Sequence, residues 1–162
     1  MMYNRNLRKQ LKIMFVCHGN ICRSPMAEFV MKDKIKERGL EDRVKVFSSA
    51  TSYEETGNPV YPPAVAKMRE EGVTIYPHKA VTIEKDDYDF YDMFVGMEQR
   101  NVSRMLLKFG SDPENKVSRL LDYGENPRDI ADPWYNDDFD TCYADVVEGV
   151  DALIDYILRE KL

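Results

Sequence analysis

Apolar residues in this chain fall into alternating blocks of two periods. Leu11-Lys12-Ile13-Met14-Phe15-Val16 is a dense apolar run that ends abruptly at polar residues, as a buried parallel strand does. From Pro25, the residues Ala27, Val30, Met31 and Ile35 recur at helical spacing, and Gly39 supplies a stop. Val44 to Ser48 alternates and reads as a second strand. A helix opens at Pro62 or Pro63, carries Val65 and Met68, and closes at Gly72. Residues 73–89 read mostly as loop, with Thr74-Ile75 a short extended piece and Thr82 a cap for one turn. Phe90 to Met97 reads as a third strand. The helix after it has Val102, Met105, Leu106 and Phe109 on one face and stops at Gly110. Lys116 to Leu120 reads as a fourth strand, and a long helix runs from Phe139 to Arg159. Gly149 inside that helix costs about 1 kcal/mol against alanine, so a close packing contact is expected there.

Four strands alternating with four helices predict an α/β fold: a four-stranded parallel sheet with helices on both faces and right-handed crossovers. This is a flavodoxin-like or Rossmann-like three-layer arrangement, expected as a single domain over 1–162 with 1–11 a loosely ordered extension. Ligands of such sheets bind beyond the carboxyl ends of the strands. The first of those ends is the start of Cys17-His18-Gly19-Asn20-Ile21-Cys22-Arg23-Ser24-Pro25.

This stretch reads as an anion cradle. Strand, loop and helix start follow in quick succession, with Ser24 as the expected N-cap and Pro25 at the first helical position. Unpaired N-H groups of such a loop converge on one point, where the helix dipole also favours negative charge. A cysteine facing that field, with Arg23 nearby, is favoured as thiolate and can act as a nucleophile. The guanidinium of Arg23 can grip two phosphoryl oxygens at once. The ending Gly-Lys-Ser/Thr of a nucleotide-binding loop is absent.

Composition narrows the setting without changing this picture. The chain has 162 residues, 43% hydrophobic and 32% charged, ordinary for a globular protein. A net charge of -6 argues against nucleic acid or an anionic membrane as partner. The basic N-terminal run has no apolar core of a leader, and no stretch has the length of a membrane span, so a cytoplasmic location is expected. Three cysteines, one of them in the cradle, fit a reducing compartment. No paired Cys/His spacing points to a metal site.

A thiolate attacking phosphorus needs an acid for the leaving oxygen. Ile130-Ala131-Asp132-Pro133-Trp134-Tyr135 offers a carboxyl group next to a fixed proline backbone and two aromatic rings. Low dielectric and a bound phosphate both favour its protonated form. Taken alone, Asp-Pro reads as a turn.

Cys-x5-Arg-Ser, extended to Val-Cys-x-Gly-Asn-Ile-Cys-Arg-Ser-Pro and joined by Asp-Pro-aromatic-aromatic, resembles the low-molecular-weight protein tyrosine phosphatase family. The resemblance runs from Ile13 to the final helix and implies a two-step mechanism. Cys17 attacks phosphorus, Arg23 and the loop from His18 to Ser24 (Gly19, Asn20, Ile21 and Cys22 between) hold the phosphate, and Asp132 is acid and then base. No metal or cofactor is called for, and inorganic phosphate is the product. By the same likeness Asn20, Ser24, Ser48 and His78 form a network behind the loop, although Val81 stands where many relatives have arginine. Trp134, Tyr135 and Tyr53 are expected to wall a slot deep enough for a phosphotyrosine of a protein or peptide. Ile21 favours that substrate over phosphoarginine, since related arginine phosphatases resemble a threonine there. A thiol-dependent arsenate reductase shares the loop but needs a further cysteine pair, and only Cys142 remains. The family likeness also implies a monomer or weak self-association.

Overall fold

The computed structural model describes residues 10–162. Most of the expected N-terminal extension therefore lies outside the described residues. Leu11, its last member, is already in the sheet, its N-H donating to the Arg43 carbonyl at 2.9 Å.

Four parallel strands lie in the order β2-β1-β3-β4: β1 (Leu11–Cys17), β2 (Val44–Ala50), β3 (Met93–Gly96) and β4 (Val117–Arg119). The central β1 pairs with β2 from Leu11 opposite Val44 to Cys17 opposite Ala50, and with β3 from Ile13 opposite Met93 to Val16 opposite Gly96. Alternation along β1 sends Ile13, Phe15 and Cys17 to one face and Met14 and Val16 to the other. On the first face α1 (Arg23–Glu37) and the C-terminal helix Phe139–Glu160 complete the larger core, with α2 (Pro62–Glu70) at its margin. On the second face Phe94 packs with Met105 and Phe109 of the helix Gln99–Phe109. The expected doubly covered parallel sheet is the observed one.

Three differences from the sequence expectation bear on the site. The third strand is shorter than Phe90 to Met97, because Asp87–Phe90 coils into a helical turn, α3, and the Asp92 carboxylate accepts the Lys12 N-H at 2.8 Å. Thr82 caps no helix; it forms a parallel bridge with Ala50, flanked by Ala50 N-H to Val81 O at 2.7 Å and Ile83 N-H to Ala50 O at 2.8 Å. Residues 78–83 are thereby tied to the carboxyl end of β2, beside the cradle. Finally, β4 stops at Arg119, Leu120–Tyr123 forms a 3-10 turn, and Pro133–Asn136 is a short helix absent from the sequence expectation.

Helices are numbered onward as α4 (Gln99–Phe109), α5 (Pro133–Asn136) and α6 (Phe139–Glu160). The expected close contact at Gly149 is with Leu120. A Cβ at Gly149 would lie 2.4 Å from Leu120 Cγ, so only glycine lets α6 seat there. Among the described residues no helix is long and apolar enough to cross a membrane.

Candidate active site

Cys17 ends β1 and is buried, and the chain then turns through residues 18–22 before α1 begins at Arg23. The turn depends on Asn20, whose φ of 61° is in the left-handed region. Asparagine tolerates that conformation better than most side chains because it can bond locally. Here it bonds in every direction. Its N-H donates to Cys17 Sγ at 3.3 Å, and its Nδ2 donates to Ser24 Oγ at 2.8 Å and Ser48 Oγ at 3.0 Å. Its Oδ1 accepts the Val81 N-H at 3.1 Å, and its carbonyl accepts from His78 Nε2 at 2.8 Å. A donor at Nε2 defines which ring nitrogen of His78 carries a proton.

Ser24 departs from its expected role as N-cap. Cys22 holds the cap position without a side-chain cap bond, and α1 starts two residues early for that assignment. Ser24 Oγ instead lies 3.0 Å from Cys17 Sγ. Its single proton goes either to the sulfur or to the Ser49 carbonyl at 3.4 Å. Ser48, itself bonded to Asn20, donates to the buried Glu28 carboxylate at 2.5 Å, which Lys32 also meets at 2.6 Å. Glu28 was not anticipated as part of this network. Its only trace in the sequence is a carboxylate placed within the helix surface that faces β2.

Arg23 is 1% exposed and ties two distant segments, at Glu98 and at Ile130–Asp132, to α1. Its Nη1 donates to the Glu98 carboxylate at 2.5 Å and the Ile130 carbonyl at 2.9 Å, and its Nη2 donates to Asp132 Oδ2 at 3.2 Å. Its Nε is buried and has no hydrogen-bond partner among the described residues. Burial alone depresses the guanidinium pKa, but the neighbouring Cys17 and Asp132, with the Glu98 bond, outweigh it and raise the value. The site thus fixes a permanent cation beside the sulfur. Glu98 was missed by sequence reasoning, although a carboxylate directly after the third strand is a usable signal. It is held by Asn101, whose Oδ1 accepts from the N-H groups of Met97 and Glu98, both at 3.0 Å.

Asp132 arrives from the segment between the Leu120–Tyr123 turn and α5. It caps α5, with Oδ1 accepting the Trp134 N-H at 3.0 Å while Oδ2 faces Arg23. Pro133 at the first helical position and Asp137 in a left-handed conformation at its end define this single turn. An open cleft of about 500 Å³ runs from Cys17, Gly19 and Ile21 up between Asp132, Trp134 and Tyr135. The Trp134 ring leans on Tyr61, with centroids 4.7 Å apart, while Tyr135 is 82% exposed.

The structure does not bring Tyr53 to this cleft. Its hydroxyl bonds to Glu84 Oε1 at 2.7 Å, and Lys108 Nζ sits 5.2 Å above its ring. Glu54 and Glu55 form that side of the cleft instead, with Glu54 meeting His18 Nε2 at 3.2 Å and Glu55 packed over Gly19. His18 itself is on the lip. The other two cysteines are buried thiols. Desolvation, followed by the nearby Cys17 and Asp132, pushes the Cys22 pKa up, and burial pushes Cys142 up to about 12.

A sulfur at the C-terminal end of the central strand, a helix N-terminus, a fixed guanidinium and a facing carboxyl group make up the chemistry of phosphate-ester cleavage. Over residues 12–162 the chain matches the family model of low molecular weight phosphotyrosine protein phosphatases. It is 31% identical over 153 residues to the low molecular weight protein-tyrosine-phosphatase YfkJ of Bacillus subtilis, covering 93% of this chain and 98% of that one. The crystal structure of YfkJ superposes with a TM-score of 0.92 over 95% of this chain and 98% of its own. PtpA of Staphylococcus epidermidis is 32% identical over 151 residues, 93% of this chain and 96% of its own. A low molecular weight protein tyrosine phosphatase from Streptococcus pyogenes superposes with a TM-score of 0.81 at 30% identity, over 94% and 95% of the two chains. The chain belongs to the low molecular weight protein tyrosine phosphatase family, whose catalysis is cysteine-based.

Proposed function

We propose that this protein hydrolyses phosphotyrosine in proteins or peptides, with Cys17 as nucleophile, Arg23 as phosphate clamp and Asp132 as general acid and base. The observation that carries the reading is the convergence of those three residues, brought from β1, α1 and the 124–132 segment, on the floor of one cleft walled by Trp134 and Tyr135.

In the first step the Cys17 thiolate forms an S-P bond while the bond from phosphorus to the phenolic oxygen breaks. Asp132 gives its proton to that oxygen, which leaves as tyrosine. Loop N-H groups and Arg23 take the charge on the remaining oxygens as it redistributes. In the second step Asp132, now a carboxylate, removes a proton from water as the water attacks phosphorus. The S-P bond breaks, thiolate returns, and inorganic phosphate leaves.

Arg23 is well suited to its part. Two of its nitrogens are committed to fixing its plane against Glu98, Ile130 and Asp132, while the buried Nε is free to meet a phosphoryl oxygen. Ser24, within 3.0 Å of the sulfur, stabilises the thiolate both before attack and as it departs. Asn20, Ser48 and His78 keep the loop in its left-handed turn. Ile21, which lines the cleft, gives an apolar surface suited to a phenyl ring.

The test is hydrolysis of an aryl phosphate, a phosphotyrosyl peptide and a phosphoarginyl peptide by wild type and Cys17→Ser. Wild type is expected to prefer phosphotyrosine, and the variant to lose turnover while still binding the peptide. Activity surviving in Cys17→Ser would remove the covalent route. A preference for phosphoarginine would replace the substrate.

A further inference from the structure

A second groove opens from the lip of the cleft. It shares His18, Arg23, Asp132 and Tyr135 with the cleft and continues past Asp129 and Ile130 to the first turns of α4. At about 690 Å³ it falls within the roughly 300–1,000 Å³ of ligand sites. Because it is continuous with the cleft, it offers a path for the polypeptide beside a bound phosphotyrosine.

The charges along it are unevenly committed. Glu98 and Asp132 are turned to Arg23, and Glu54 faces His18. Asp129 accepts from Arg119 Nη1 and the Gln99 N-H, each at 2.9 Å. Arg100 and Arg104, which also line the groove, make no hydrogen bond or ion pair among the described residues. Both are exposed, and four residues apart on α4 they share one helical face. Of the arginines that line the groove, Arg23 is committed to Glu98, Ile130 and Asp132, whereas Arg100 and Arg104 are uncommitted.

The acidic run 136–140 on the far side of α5 does not compete with them. Asp138 is used as the cap of α6, accepting the Thr141 N-H at 3.0 Å, and Asp140 meets Lys67 at 2.7 Å.

We propose that this groove is a substrate subsite in which Arg100 and Arg104 receive an anionic side chain, carboxylate or phosphate, close in sequence to the phosphotyrosine. The proposal rests on the phosphatase reading above. Planar guanidinium groups grip either anion through paired N-H donors. At an exposed site such a pair also raises the rate of encounter, an effect that salt screens.

The experiment compares kcat/KM for phosphotyrosyl peptides that differ only in their flanking residues: Asp/Glu, a second phosphotyrosine, Ser, or Lys. A small aryl phosphate is the control. Wild type is set against Arg100→Ala, Arg104→Ala and the double variant. Peptides with anionic flanks are expected to lose up to about five-fold for each arginine removed, the upper range for an exposed ion pair. Serine-flanked peptides and the aryl phosphate keep their wild-type values, and raising the salt concentration shrinks the anionic preference. Carboxylate and phosphate arms show which anion the groove favours. Equal losses for all peptides, or none for the anionic ones, with aryl phosphate turnover intact, would overturn the subsite and leave the phosphatase reading standing. Absence of aryl phosphate turnover in wild type would overturn that reading; peptide binding followed by Trp134 fluorescence then reports the subsite, which falls if anionic and serine-flanked peptides bind alike.

Discussion

Floor and rim of the cleft are built on opposite plans. On the floor, Asn20, Arg23 and Ser24 are at most 1% exposed, and their polar groups are tied to partners from four other segments of the chain. On the rim, Trp134 is 50% exposed and Tyr135 82%, and neither side chain has a hydrogen-bond partner among the described residues. Buried polar networks are rigid when satisfied and costly when cut. Exposed side chains change at little cost in stability. The floor therefore carries chemistry that tolerates no substitution, while the rim is where substrate preference can vary.

The largest expected break in this contrast is at Arg23. Arg23→Lys keeps a charge but loses the fork and strands Ile130 O, Glu98 and Asp132. A fall in kcat of about 10²- to 10³-fold follows for loss of a preorganised donor, measured with an aryl phosphate. Next is Asp132→Ala, with a fall of about 10²-fold or more for poor leaving groups and much less for nitrophenolate, which needs no proton. A leaving-group series checks it, and equal losses across the series would deny Asp132 its acid role. Asn20→Ala leaves Ser24, Ser48 and the Val81 N-H short of partners, at about 3 kcal/mol of stability. Denaturant unfolding measures this. Trp134→Ala, on the rim, is expected to raise KM a few-fold with stability within about 0.5 kcal/mol of wild type, which sharpens the contrast.

A separate expected effect is a pH dependence of stability. Cys142 stays protonated in the folded state up to about pH 12, against an ordinary value of 9.0. Above that ordinary value the unfolded thiol ionises first, so the folded state holds the extra proton and stability falls as pH rises from 9 toward 12. Denaturant midpoints measured across this window are expected to fall less steeply in Cys142→Ala.

The sequence was a good guide to whatever depends on local order. Apolar period located β1, β2, α4 and α6, and the cradle was legible because its chemistry is contiguous in the chain. Ser24 was misplaced as a cap, since a serine at a helix start serves equally well as a cap or as a partner for a neighbouring sulfur, while the family likeness set it in the network behind the loop, where it lies. Glu28 and Glu98 were passed over because each acts only through residues distant in sequence, Ser48 and Arg23 respectively. Tyr53 was placed on the rim as an aromatic of the loop after the second strand, but its bond to Glu84 turns it elsewhere. Period also gives no warning of single turns such as Pro133–Asn136, which are too short to repeat.

The many attachments of Asn20 have a consequence for the order in which the molecule assembles. The cradle is a few residues long, yet its conformation is set by bonds to residues 48, 78 and 81, and Arg23 waits for Glu98, Ile130 and Asp132. Contacts so distant along the chain close late because each must first meet its loop-closure entropy. A nascent or refolding chain therefore leaves Cys17 without its cradle until most of the sheet is in place. On dilution from denaturant, recovery of aryl phosphate turnover is expected to trail recovery of helical circular dichroism. Simultaneous recovery would show the loop closing with the rest of the fold.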